Sequence, residues 1–151
     1  MLDPSGGTDR LDVARVAEPD GGWTWAHLVE ACNEIAQTPH DFTRLIIDEL
    51  GVWEGLCHEH LCRAHGKNFI EDWGWQAGYK LAVREWGELL RVLSPARAHM
   101  EIVFIGHVKT KTYKNPNGPD WDRMVPSLHD YLAAKLRSWC DTVLFARFLD
   151  T

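Results

Sequence analysis

Apolar positions along this chain form two kinds of pattern, and their order is informative. In residues 25–37, Trp25, Leu28, Cys32 and Ile35 recur at helical spacing on one face. Thr24 can cap that helix and Pro39 stops it. Residues 42–49 contain the unbroken apolar run Leu45-Ile46-Ile47, ended by Asp48. That is the pattern of a buried strand with a polar tip. A helix is predicted over 52–65, closed by Gly66, and an aromatic, glycine-bearing loop over 66–78. A long helix over 79–93 carries Tyr79, Ala82, Val83, Trp86, Leu90 and Leu93 at helical spacing until Ser94-Pro95 breaks it. Residues 101–107 (EIVFIGH) read as a second buried strand with a polar tip. Residues 109–125 read as a polar loop, 127–139 as a helix with Leu128, Tyr131, Leu132, Leu136 and Trp139 on one stripe, and 142–149 as a third strand. Leu2-Asp3 resembles the end of another strand, followed by loop over 4–22, where Pro4, Gly6, Gly7, Pro19, Gly21 and Gly22 cluster.

Strands alternating with amphipathic helices mean an α/β domain with a mainly parallel sheet. Three parallel strands are expected, over 42–48, 101–106 and 142–148. Ligands of such sheets sit beyond the carboxyl ends of the strands, and here those ends carry Asp3, Asp48-Glu49 and His107. At 151 residues the chain fits one domain, 1–151, large enough to bury a core without staples. Its 45% hydrophobic and 25% charged content argues against disorder. No apolar run is long enough for a membrane span, and MLDPSGGTDR has no signal-peptide pattern, so a cytoplasmic protein is expected. Four scattered cysteines read as reduced thiols. The net charge of −6 is uneven: residues 1–41 hold eight acids and two bases, and the remainder is balanced. A general polyanion-binding surface is therefore not expected, while a local basic patch is compatible with this balance. Of the eight tryptophans, Trp23, Trp25, Trp73 and Trp75 lie near loops or element starts, where they can cover surface or meet a partner.

Three segments carry candidate chemistry. Leu45-Ile46-Ile47-Asp48-Glu49 fits a Walker B strand: Asp48 would hold Mg²⁺ through carboxylate and water, and Glu49 would polarise water. Alternatively, Asp48 caps the next helix. Cys57 to His65 (CHEHLCRAH) puts His58 and Cys62 one helical turn apart, but offers only two ligands per face, so no structural zinc is expected. Residues 108–126 interleave Lys109, Lys111, Lys114 and Arg123 with Tyr113 and Trp121. Cations for phosphates beside aromatic faces for bases are the components of single-strand binding; a solvated loop is the other reading.

Taken in order, LDPSGGTDRLDV, GGWTW, HDFTRLIIDEL with VWE, HLCRAHGKNFIEDWGWQAGY, VFIGHVKTKTY and LHDYLAAKLRSWCDTVLFA resemble the RecA-type phage recombination ATPases, also described as phage nucleotide-binding or AAA-type ATP-binding proteins. The resemblance covers nearly the whole chain. It implies a three-layer, RecA-like (P-loop NTPase-type) fold with a mainly parallel sheet, ATP and Mg²⁺ as cofactors, and cytoplasm of a bacterial host as location. The family's Walker B aspartate matches Asp48, and the polar residue that senses the nucleotide phosphate matches His107. Its DNA-binding loops fall near 66–79 and 109–123. The implied role is ATP-regulated binding of single-stranded DNA in phage recombination or annealing.

The departures shape the expectation. The family opens with a strand, a phosphate loop ending in Gly-Lys-Ser/Thr and a helix, whereas this chain starts at the next strand. Gly66-Lys67 follows a helix and lacks the loop's spacing, and the family's strand-end glutamate falls at Ser5. Without a phosphate cradle the isolated chain is expected to need no cofactor and to hydrolyse no ATP. In the family the lost strand lies between those matching 101–107 and 142–149, so the gap must close, pair with another copy or accept a partner's strand. A truncated RecA-like domain with vestigial Asp48, Glu49 and His107 is one expectation. A phage or mobile-element module that binds a host or phage protein is the alternative, and a zinc enzyme at the Cys/His cluster is the third.

Overall fold

The computed structural model describes residues 1–8 and 10–147. The first helix, α1 (Trp25–Gln37), starts where the Thr24 hydroxyl accepts the His27 N–H at 3.3 Å. Such a cap is worth about 1 kcal/mol. Strand β1 (Arg44–Ile47) leads into α2 (Leu50–His65). The helix begins two residues earlier than the pattern suggests, because Glu49 caps it: its carboxylate accepts the Val52 N–H at 2.7 Å. Gly66 ends α2 at φ 62°, a left-handed conformation that costs glycine nothing.

A 3₁₀ turn (Ile70–Trp73) precedes α3 (Ala77–Leu93). The two pack so closely that a Cβ on Gly78 would stand 2.1 Å from the Ile70 carbonyl oxygen, which explains the glycine there. A second 3₁₀ turn (Pro95–Ala98) leads to β2 (Glu101–Phe104). Strands β3 (Val108–Tyr113) and β4 (Trp121–Pro126) precede α4 (Asp130–Trp139).

The domain is mixed α/β with two short sheets. In one, β1 and β2 pair in parallel from Arg44↔Glu101 to Ile47↔Phe104, and Leu2 adds a parallel bridge to Ile47. In the other, β3 and β4 form an antiparallel hairpin from Val108↔Pro126 to Tyr113↔Trp121. Helix α3 packs against α1, α2 and α4. Leu2, Leu45 and Ile47 of the parallel sheet are buried in one core with Trp25, Trp53 and Trp86. The Trp25 and Trp86 rings lie 5.0 Å apart, and Trp23 meets Trp53 edge-on at 5.4 Å.

Several expectations need correction. Residues 109–125 are not a loop. Alternate β-branched positions Val108, Thr110 and Thr112 put them in a strand, and the turn residues Asn115 to Pro119 lie between two paired arms. Residues 142–147 form no strand, and Val143, Leu144 and Phe145 are exposed. The physical reason is a missing neighbour: a groove, not a strand, separates them from β2. Positions 148 and 149 of that expected strand lie outside the described residues. The sheet is thus one parallel pair with a bridge, rather than three long parallel strands. Trp25 is core rather than surface, whereas Trp75 is 98% exposed.

This packing makes a sharp contrast between two tryptophans. Trp86→Ala should destabilise the domain by about 3–5 kcal/mol, the range for emptying a buried aromatic site. Trp75→Ala should change stability by less than about 0.5 kcal/mol, as exposed substitutions do. Urea unfolding curves of both variants measure the difference.

Candidate functional site

Two main-chain ladders bring the strand ends together. The Leu2 N–H donates to the Ile46 carbonyl and the Asp48 N–H to the Leu2 carbonyl, both at 2.9 Å, so Asp3 leaves the sheet level with Asp48. On the other side, the Ile105 N–H donates to the Ile47 carbonyl at 3.0 Å and the Leu50 N–H to the Ile105 carbonyl at 2.8 Å. Gly106 and His107 therefore emerge beside Asp48. Asp3, Asp48, Glu49 and His107 share the carboxyl end of the parallel strands, where α/β sheets bind ligands.

Their environments differ. The Asp3 carboxylate accepts N–H bonds from Ser5 (3.0 Å), Gly6 (3.0 Å) and Thr8 (2.9 Å), and hydroxyl bonds from Ser5 (2.6 Å) and Thr8. Burial pulls its pKa up, but the Ser5 and Thr8 donors win and bring it down to about 2. The Asp48 carboxylate has no hydrogen-bond or ion-pair partner among the described residues. Burial pushes its pKa up, the charges of Asp3 and Glu49 push it further, and nearby His107 opposes them. Glu49 is committed to capping α2. The Asp48–Glu49 pair thus divides its work: Glu49 caps the helix and Asp48 faces the open strand ends.

Strand register places Lys109, Lys111, Tyr113, Trp121 and Arg123 on one face of the hairpin. The Tyr113 and Trp121 rings are 5.4 Å apart, and the Arg123 guanidinium lies 5.2 and 5.1 Å from their centroids. Five of the six residues predicted for nucleic-acid contact are therefore neighbours. Each lysine already has a partner. Lys109 Nζ donates to the Leu128 carbonyl at 2.9 Å, and Lys111 and Lys114 pair with Asp130 and Asp120, both at 2.5 Å. Lys114 stands beyond the paired strands.

A polar junction beneath the hairpin was not anticipated. Buried Glu54 accepts the His129 N–H at 3.0 and 3.2 Å. Burial raises its pKa, while that bond and the charge of Lys109 lower it. The His129 ring caps α4 by accepting the Tyr131 N–H at 3.3 Å, and it stacks on Tyr79 at 3.8 Å. Burial lowers the pKa of His129, which favours the neutral ring that such a cap requires. The available signal was a glutamate on the buried side of α2, among Trp53, Cys57 and Leu61.

The Cys/His segment is built into packing. Cys57 and Cys62 are buried, and burial raises both thiol pKa values. His58 meets Tyr79 edge-on. Among the described residues no three metal-ligating side chains gather. That does not conflict with Mg²⁺, which commonly takes one or two carboxylates, waters and phosphates. Asp48 fits such a role.

The phosphate half of an ATP site does not fit. The Gly66 and Lys67 amides close α2 on Arg63 and Cys62, and the Asn68 and Phe69 amides are taken by Asp72. In the other glycine-bearing turn, after Asp3, the Ser5, Gly6 and Thr8 amides surround that residue's own carboxylate. Neither turn offers free amides to an incoming anion.

A family model described as AAA domain matches residues 1–150. No curated protein and no solved structure matches the chain.

Asp48 supplies a test of the site's electrostatics. Its pKa is raised from the ordinary 3.8. The ionised carboxylate therefore costs stability above its folded pKa, and that cost vanishes below 3.8. Asp48→Asn should raise the melting temperature at pH 7, and the gain should shrink to nothing as the pH falls below that value. Thermal unfolding of both proteins across pH measures this.

Proposed function

Since the chain belongs to the AAA domain family, we propose that it is a RecA-like domain of the phage recombination type. It binds single-stranded DNA and has no ATPase turnover of its own. The observation that carries this reading is the unpaired Asp48 carboxylate among Asp3, Glu49 and His107 at the carboxyl end of the parallel strands. Mg²⁺ would neutralise the charge that crowds this carboxylate. Asp48 would hold the metal, and His107 beside it would respond to the metal's charge. Because the amides of the turns at Gly6-Gly7 and Gly66 are occupied, no hydrolytic step follows from these residues.

The hairpin supports the DNA half of the reading. Tyr113 and Trp121 offer stacking faces, Arg123 adds a cation above both, and Lys109 and Lys111 line the same face. Phosphates would compete with Asp130 and Asp120 for Lys111 and Lys114, so affinity depends strongly on ionic strength. A second reading, a module that binds a host or phage protein, draws on Trp75. It is 98% exposed on a loop where both Trp75 and Gln76 have positive φ.

Titration of labelled oligo-dT at low salt tests the proposal. Trp121→Ala should weaken binding by about 1–3 kcal/mol, the contribution of one stacked base. Replacing Lys109, Lys111 and Lys114 together with Ala should flatten the salt dependence. Unchanged affinity in both variants removes the hairpin from the mechanism. No wild-type binding at low salt favours the protein-binding module.

Steady-state assays with Mg²⁺ and single-stranded DNA should show no ATP turnover above background. Turnover abolished by Asp48→Ala would overturn the non-catalytic reading.

A further inference from the structure

The hairpin and α4 enclose a cavity of about 220 Å³ next to the aromatic face. Lys111 and Tyr113 of β3 line it from one side, and Asp130, Ala133 and Arg137 of α4 from the other. The three α4 residues recur at helical spacing, so one stripe of the helix looks into the cavity. Ala133 is buried there, and its small side chain leaves the space open. Tyr113 belongs to both places. Its ring lies 5.4 Å from Trp121 and 5.2 Å from the Arg123 guanidinium, and it also lines the cavity.

The cations of the cavity are held in different ways. Lys111 pairs with Asp130 at 2.5 Å, with side chains 40% and 64% exposed. Ion pairs so open to water are worth little, so Lys111 can turn to an incoming anion at small cost. The Arg137 Nε–H donates to the Ala133 carbonyl, one turn back, at 3.3 Å. That bond ties the side chain to its own helix, while the two terminal amino groups have no partner among the described residues. A guanidinium held in this way presents a fork that matches two phosphate oxygens.

We propose that this cavity is a phosphate subsite for single-stranded nucleic acid. It takes the phosphodiester next to a base stacked on Tyr113 and Trp121, with Arg137 as its main ligand and Lys111 as its second. The inference rests on the DNA-binding reading above and extends the contact surface from the hairpin to α4. Charge selects the kind of phosphate. Lys111 and Arg137 against Asp130 leave one net positive charge, which matches the single negative charge of an internal phosphodiester. A terminal phosphate monoester carries more than one negative charge near neutral pH, and Asp130 would repel the excess. The subsite therefore holds the middle of a DNA strand rather than its end.

The experiment titrates the full chain with labelled oligo-dT over a range of salt, and with the same oligo carrying neutral methylphosphonate linkages. Arg137→Gln, at an exposed position that leaves the core intact, should weaken binding to the charged oligo by about tenfold at low salt. It should also reduce the slope of log affinity against log salt by about 0.7, the share of one phosphate on a single strand. Arg137→Lys should keep that slope, because it keeps the charge. On the neutral oligo, wild type and Arg137→Gln should bind alike. A loss that persists on the neutral oligo would overturn the phosphate assignment. An added 5′-phosphate that tightens binding only when Arg137 is present would overturn the internal position. If Arg137→Gln changes neither affinity nor slope while Trp121→Ala weakens binding, the subsite fails and the hairpin reading stands. No binding of wild type at low salt overturns both.

Discussion

A parallel strand has two hydrogen-bonding edges, and the described residues pair only one edge of β2. That imbalance organises the molecule. On the β1 side the ladder is continued by the Leu2 bridge, and Leu2, Leu45 and Ile47 are buried in the tryptophan-lined core. On the other side β2 borders a groove, and Ile102, Val103 and Phe104 are only half-buried. Parallel sheets normally bury their strands between neighbours and helices. Here the helices supply their share through α3, but one neighbouring strand is wanting among the described residues. The same deficit explains why 142–147, a sequence with good strand propensity, has no ladder to join.

The well-formed side of the sheet positions the polar tips and sets their electrostatics. Asp3 and Asp48 are brought level by the same two hydrogen bonds, yet their proton affinities are driven apart. One carboxylate is wrapped by its own loop, and the other is crowded by negative charge without a donor. Carboxylates separated in this way take different roles. Asp3 fixes the shape of its loop, while Asp48 retains free lone pairs for a cation. Glu49, the natural candidate to activate water, is tied to the first turn of α2 and would have to give up that cap to act.

Much of this was legible in the sequence, because helical spacing and buried runs report directly on burial. The first helix occupies the residues its stripe and flanking signals indicate, and the runs at Leu45 and Ile102 are strands because they are apolar enough to enter the core. Residues 108–126 were harder to read. Lysines and aspartates at alternate positions look like a solvated loop, and only Val108, Thr110 and Thr112 betray the period of two. The Glu54–His129 junction was not legible, because it joins residues 75 positions apart through a main-chain N–H. Residues 142–147 show the opposite limit: their composition is right for a strand, but strand formation depends on a neighbour that local sequence cannot report.

The hairpin and the strand ends are coupled through that junction. Lys109 at the hairpin's base is bonded to the Leu128 carbonyl, and its charge acts on both Glu54 and His129. Glu54 lies on α2, whose cap is the residue next to Asp48. β2 connects to β3 through residues 105–107, with His107 beside Asp48, and the His107 carbonyl accepts the Ser127 N–H at 2.7 Å just after β4. Asp48 is thus joined to the hairpin by two short structural connections, one along α2 and one through His107. The charges of Asp3, Glu49 and His107 all act on Asp48 at the strand ends. The adjoining hydrogen bonds hold the base of the face that carries Tyr113, Trp121 and Arg123. The strand ends and the hairpin are therefore held in one connected set of main-chain and side-chain bonds.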